Sequence, residues 1–250
     1  MLLALPLHDD TPRIATPIAT YGLAAACCLV FLWQASLPPR LAEQAVYSLG
    51  MVPAVLFGHA ELAAHLRTVP PFLTIFTAMF LHGGLLHLGG NMLFLCIFGR
   101  AVEYALGASR LLLFYFICGA AAGLTQALID PASTVPMIGA SGAIAGILGA
   151  YLVLHPRGNV VVLFWFIIIV RFLSVPAVIL LGLWFLLQLM GALSSAAGEP
   201  GVATWAHVGG FIAGMALVPL FRRSGVRLFH PARTSSFTLA PRRRQRGPWG

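Results

Sequence analysis

Long apolar runs separated by short polar punctuation organise this chain. A nearly uncharged run from about Pro17 to Leu37 has the ~20 residues that a helix needs to cross a bilayer, and Pro38-Pro39-Arg40 ends it. Residues 40–81 mix short apolar runs with Arg40, Glu43, Glu61, His65 and Arg67, the pattern of a structured loop with amphipathic pieces at the interface. Further spans are predicted from about Leu85 to Leu106, followed by Gly107, and from Leu111 to Ile129, ended by Asp130-Pro131. The run from Ser141 to Leu154 would be only roughly 21 Å long at 1.5 Å per residue, short for a crossing. A helix that starts below the membrane surface, covered by a loop or a wet cavity, accounts for that length. Residues Val160–Val170 are too few to span and read as interfacial or re-entrant. The fifth span then runs from about Val175 to Leu193 and the sixth from about Val202 to Phe221.

Composition places these runs in a bilayer. Charged residues are 9% of the chain and apolar ones 59%, against roughly a quarter charged in a soluble domain. All the basic side chains are arginine, and the excess positive charge is concentrated after residue 221, as a tail and not as a folded basic surface for nucleic acid. Cys27, Cys28, Cys96 and Cys118 lie in apolar segments and read as small buried hydrophobes, neither a disulfide framework nor a metal site. With no basic n-region or small-residue cleavage site, neither a cleaved signal peptide nor a transit peptide is expected.

Charge also sets the expected orientation. With six spans, Arg13, Arg100, Arg110, Arg157, Arg171 and the tail arginines share one side, leaving only Arg40 and Arg67 on the other. The positive-inside rule then puts both termini in the cytoplasm. The expected fold is an all-α membrane protein, a bundle of six transmembrane helices with a structured first loop. Residues 1–16 form a polar cytoplasmic lead-in, 17–222 the helical domain, and 223–250 an Arg-rich cytoplasmic tail without fixed structure.

In this topology three helix starts meet on the outer side, and they carry the unusual polar residues. Ser141 sits in Gly139-Ala140-Ser141-Gly142, His207 in Ala206-His207-Val208-Gly209-Gly210, and His82, His87 and Asn91 at the start of the second span. With His207 about five residues into its helix, roughly 7–8 Å along the axis, it can meet Ser141 at similar depth. Gly142, Gly146 and Gly149 on one helix and Gly210 and Gly214 on the other permit close approach. A lone intramembrane histidine can equally be a helix–helix hydrogen-bonding group, and a glycine-flanked serine can be plain packing. A metal site is not indicated: His82 and His87 are five apart and do not share a helix face. His87 and Asn91 are four apart and do share one, which suits two donors to a developing oxyanion. The nucleophile-elbow pattern is absent, since position 143 is alanine. No carboxylate is near His207 in sequence, so the base would act in a Ser–His dyad without an orienting acid.

These motifs resemble those of the rhomboid family of intramembrane serine proteases. The resemblance lies in H-x₄-H-x₃-N (His82, His87, Asn91), G-x-S-G (Gly139, Ser141, Gly142) and A-H-x-x-G-x-x-x-G (Ala206, His207, Gly210, Gly214). Phe98-Gly99, Val102-Glu103 and Gly107 resemble the bacterial members. The resemblance covers roughly residues 17–222. It implies Ser141 as nucleophile and His207 as general base. His87, Asn91 and the Ser141 N–H would form the oxyanion hole, with His82, Gly139 and Gly142 in support. It implies no cofactor and no metal, and as substrate a single-span membrane protein cut near the outer end of its helix. Two positions depart from the family pattern: Leu66 precedes Arg67 where many members carry Trp-Arg, and Arg100 stands where many bacterial members have an acidic residue. A catalytically silent rhomboid-like binder is the alternative, and such proteins usually lack the dyad. The expected location is the cell membrane, most simply a bacterial inner membrane, with anionic lipid as a partner of the tail.

Overall fold

The computed structural model describes residues 2–11, 16–166, 169–194 and 203–231. In chain order these form strand β1 (Leu2–Asp9), helix α1 (Ile18–Ser36), amphipathic helix α2 (Pro39–Leu49), and a first loop of short helical turns ending at Phe80. Helix α3 (Leu85–Leu106) and helix α4 (Ala108–Ile129) follow, then helix α5 (Ser141–Leu154), the hairpin β2 (Asn159–Phe166) and β3 (Ile169–Pro176), helix α6 (Ala177–Ser194) and helix α7 (Thr204–Phe221). Among the described residues five helices (α1, α3, α4, α6 and α7) are long and apolar enough to cross a membrane, and α5 is a sixth, shorter apolar helix. The chain is a multi-pass membrane protein built as a helical bundle.

Local chemistry sets the helix ends. Pro39 opens α2 at the first helical position, where its missing N–H is no loss. Gly107, at φ 89°, stops α3 in a conformation that L side chains avoid. Within α3, residues Leu95–Gly99 form a π-turn, a local widening of the helix. The start of α1 lacks a side-chain cap of its own. Buried Glu103 of α3 supplies one: it accepts the N–H groups of Ala19 (3.0 Å) and Thr20 (2.8 Å) and the Thr20 hydroxyl (2.7 Å). A carboxylate at a helix N-terminus is favoured by the orphan donors and by the helix dipole. Gly99, one turn earlier, leaves the room that Thr20 fills, since a Cβ there would stand 3.0 Å from the Thr20 methyl. Glu103→Ala strands two buried N–H groups at ~1–3 kcal/mol each; the expected result is a lower unfolding midpoint in detergent, read by thermal melting.

α5 is the core of the bundle. Every residue from Ala143 to Leu154 except Leu152 is buried, and α4 and α7 pack on either side. The contact with α7 is backbone on backbone: a Cβ on Gly210 would collide with the Gly142 carbonyl, and one on Gly214 with the Gly146 carbonyl. Gly149 faces the Phe211 carbonyl in the same way. This is the small-residue interface that lets membrane helices touch. α6, by contrast, buries only Ala177, Leu181 and Ala192 and packs chiefly against α7.

The three-stranded antiparallel sheet, in the order β1-β2-β3, is the departure from the expected architecture. Leu2–Asp9 is a strand where a polar lead-in was expected, and the described residues of the run read as interfacial or re-entrant are strand residues of β2 and β3. The run Val-Val-Val-Leu-Phe-Trp-Phe is rich in β-branched and aromatic side chains, which fit a pleated surface. It is also too short for a competing helix of useful length. Val160 and Val162 turn inward into the core, while Val170 and Phe172 are exposed. Pro6 lies on an edge strand, beside a register shift between Pro6 and His8, where a missing donor is tolerated. Asp9 closes the assembly: buried, it pairs with Arg100 of α3 and accepts the Tyr151 hydroxyl of α5 at 3.1 Å. Arg100 thus has its carboxylate in β1.

Past α7 the chain stays docked as far as it is described. Phe229 and His230 N–H groups donate to Val153 (3.0 Å) and Leu154 (2.8 Å), satisfying the last carbonyls of α5. His230 stacks on His155, with centroids 5.1 Å apart. The rest of the Arg-rich tail lies outside the described residues.

Candidate active site

The segment that leads into α5 is fixed before Ser141 is reached. Met51 of the first loop and Met137 exchange backbone hydrogen bonds of 3.0 and 2.8 Å, and the Gly139 N–H donates to the Ala78 carbonyl at 2.8 Å. The first loop therefore holds residues 137–139 in place. Arg67, which lacks a preceding Trp, braces its own turn, donating to the Leu62 carbonyl at 2.7 Å and pairing with Glu61 at 2.6 Å. Gly139 adopts φ 125°, and the helix begins two residues later. As the first residue of α5, Ser141 has an N–H with no carbonyl one turn back to receive it.

His207 is the fourth residue of α7, and the glycine contacts described above bring its ring to Ser141. The Ser141 hydroxyl donates to Nε2 over 2.8 Å. On the other side of the ring, Nδ1–H donates to Gln188 Oε1 of α6 over 2.7 Å. The two bonds fit one tautomer, with the hydrogen on Nδ1 and a lone pair on Nε2 facing the hydroxyl. The Trp184 ring lies beside the imidazole at 5.9 Å between centroids, tilted by 38°. His207 is buried.

The second cluster sits at the start of α3. The Gly83 N–H donates to His87 Nδ1 at 3.3 Å, which leaves the hydrogen of that ring on Nε2. Nε2 lies against Gly139, 2.8 Å from where a Cβ would stand, and Ser141 Oγ is 3.8 Å from the same point. Asn91, one turn further along α3, is buried, and its amide nitrogen has no partner among the described residues. An unfilled buried donor costs free energy, and here it is on the same helix face as His87.

His82 is held from several directions. Its backbone N–H donates to Gln34 Oε1 of α1 at 3.0 Å, and its Nδ1–H donates to the Phe80 carbonyl at 3.1 Å. Burial pushes its pKa down to about 4, so the ring is neutral. It meets the His87 ring edge to face, with centroids 5.2 Å apart, and so links α1 to the His87 side of the cluster. Gly142 makes room on α5 for α4: a Cβ there would stand 2.7 Å from the Ala122 methyl.

An apolar cavity of about 50 Å³ opens beside Ser141. Met51, Ile75, Met79, Gly119, Gly123 and Met137 line it, with Ser141 and Gly142 at one wall and Ala203 and Ala206 closing the α7 side. Of the residues singled out from sequence, Ser141 and His207 are in direct contact, His87 abuts Gly139, His82 meets the His87 ring, and Asn91 lies one helical turn past His87. Two glutamines were not anticipated, Gln34 and Gln188. The available signal was a single amide inside an otherwise apolar run, a placement that is costly in a membrane without a partner.

The geometry makes Gly139 a sensitive point. Gly139→Ala would force a side chain into a backbone region that favours glycine and push against His87. Strain of about 1–3 kcal/mol is expected, and any hydrolytic turnover at Ser141 should fall at least about tenfold. Steady-state kinetics beside a melting curve separates the two effects.

Comparison with known proteins places these elements in one lineage. The rhomboid domain family matches residues 70–224, more than half of the chain. RHOMBOID-like protein 1 of Arabidopsis thaliana is 35% identical over 144 residues, 57% of this chain and 33% of that protein. Rhomboid-like protein 11, chloroplastic, of the same plant is 30% identical over 164 residues, 62% of this chain and 54% of that one. Rhomboid protease GluP of Bacillus subtilis (strain 168) is 41% identical over 78 residues, 31% of this chain and 15% of that one. The chain spans a third or less of the length of the first two Arabidopsis relatives it matches. The matched region takes in the His82–Asn91 cluster, Ser141 and His207, and on this ground the chain belongs to the rhomboid family.

Proposed function

We propose that this protein is an intramembrane serine endopeptidase that cleaves transmembrane-helix substrates near the outer face of the membrane. One observation carries the reading: Ser141 Oγ and His207 Nε2 lie 2.8 Å apart, in the tautomer a general base requires, at the wall of an apolar cavity. Family membership supports it, since named rhomboid proteases are among the relatives.

In this reading Ser141 attacks the scissile carbonyl while its proton passes to Nε2 of His207. The carbonyl oxygen becomes an oxyanion, met by the Ser141 N–H, the His87 Nε2–H and the Asn91 amide. The imidazolium gives its proton to the leaving amine, and an acyl-enzyme remains on Ser141. Water, deprotonated by the same histidine, then releases the acid product. A peptide bond inside a helix is shielded, so the substrate must unwind locally; small or helix-breaking residues at the cut favour this. The cavity beside Ser141 fits a short apolar side chain next to the scissile bond.

The arginine distribution supports both termini on the cytoplasmic side, which puts the starts of α5 and α7 toward the outer leaflet. The cell membrane is the proposed location, single-span membrane proteins are the proposed substrates, and anionic lipid is the proposed partner of the tail. The test is cleavage of a single-span reporter with a destabilised helix by the purified chain in detergent. Cleavage within the helix supports the proposal. A chain that neither cuts several such reporters nor takes a serine-directed fluorophosphonate overturns it in favour of a silent binder.

A further inference from the structure

α6 is apolar along almost its whole length, yet it presents one carboxamide, Gln188, and that carboxamide reaches His207. Its Oε1 lies 2.7 Å from Nδ1. Trp184, one turn earlier on the same face, lies along the imidazole at 5.9 Å, and Phe185 stacks on Phe211 of α7 at 4.8 Å between centroids. The ring is therefore bounded by Ser141 on one edge and Gln188 on the other, with the tilted Trp184 ring beside it.

We propose that Gln188 is the positioning residue of a Ser141–His207–Gln188 triad. It rests on the hydrolytic reading above and adds to it the group that orients the base. A general base serves Ser141 only while Nε2 lacks a hydrogen and points at the hydroxyl. An acceptor at Nδ1 fixes both the tautomer and the rotation about the Cβ–Cγ bond. Gln188 Oε1 is such an acceptor. A carboxylate is the usual orienting group, but an ion at this depth carries a large desolvation cost. A neutral amide does the same geometric work without that cost. Because Gln188 is on α6 while Ser141 and His207 are on α5 and α7, the orienting contact depends on α6 standing against α7.

A plain anchoring role, in which Gln188 only pins α6 to α7, predicts different results. The full chain and its Gln188→Met and Gln188→Glu variants are compared in detergent by three readouts. These are the rate at which a small fluorophosphonate labels Ser141, kcat and KM on a single-span reporter, and the thermal midpoint. Methionine keeps the length and removes the acceptor; glutamate restores an acceptor oxygen at the same reach. The expected result is labelling by Gln188→Met about 10- to 100-fold slower than wild type, with kcat lowered at nearly constant KM. Gln188→Glu should recover most of the labelling rate. The probe needs no helical substrate, so slow labelling cannot be attributed to poor docking of one. Wild-type labelling by Gln188→Met overturns the assignment, as does equal slowing in both variants accompanied by an equal drop in midpoint. If the wild-type chain takes no probe and cuts no reporter, the hydrolytic reading falls together with this one. If it labels normally and the methionine variant matches it, only the role of Gln188 falls.

Discussion

Ser141→Ala is expected to lower cleavage of a single-span reporter by about 10⁶-fold, to the background of the assay. In the proposed mechanism the reaction runs through the Oγ atom that lies 2.8 Å from His207 Nε2, and among the described residues lining the cavity Ser141 carries the hydroxyl. Alanine fits the site without collision, so the fold and the melting midpoint should change little. His207→Ala should fall nearly as far, because residues that act as one unit do not contribute additively. The double variant should therefore be no worse than either single one. A fluorophosphonate should label the wild-type chain and leave Ser141→Ala unlabelled. Probe incorporation in that variant would show that another nucleophile does the work.

Asn91→Ala comes next in size, with an expected loss of about 10²–10³ in kcat and a smaller change in KM. The reason is specific to its surroundings: the amide nitrogen is buried and has no partner among the described residues, so it rests in the ground state as an unfilled donor. An oxyanion that develops against it gains a hydrogen bond that the substrate carbonyl does not have, and such differential binding lowers the barrier. Removing the amide should leave the resting protein as stable as before or slightly more so, since an unsatisfied buried group goes with it. A loss of activity together with a large loss of stability would instead make Asn91 a packing residue. Full kcat in the alanine variant would remove it from the oxyanion site.

How much of this was legible in sequence differs by element. The ends of α1, α3, α4 and α5 could be read to within a few residues, because prolines, Gly107 and Asp130 interrupt long apolar runs. The glycine spacings on α5 and α7 announced their backbone contact. The sheet could not be read, since a strand apolar on both faces loses the alternation that distinguishes a strand from a short helix. β1 was further disguised by Pro6 and by His8, Asp9 and Asp10, which look like a solvated leader until Arg100 and Tyr151 are seen around Asp9. Arg100 itself was an unexplained departure from the family pattern for the same reason: its partner is ninety-one positions away. Gln188 escaped because nothing local to it suggests His207. The contact depends on how α6 leans on α7, and helix packing of that kind leaves no periodic mark.

The pairing of β1 with β2 has a consequence for how the molecule is made. Tyr151 and Asp9, joined by a hydrogen bond, are 142 positions apart, and β1 finds its ladder partner only at Asn159–Phe166. During synthesis, therefore, the first strand must wait, unpaired and apolar, while α1, α3, α4 and α5 are threaded into the bilayer. Such a strand is an open template for other chains, and contacts this distant in sequence form slowly. Biogenesis thus includes an interval, between the emergence of β1 and that of β2, in which β1 lacks its ladder partner. The far end of the serine-bearing helix settles only when that interval closes.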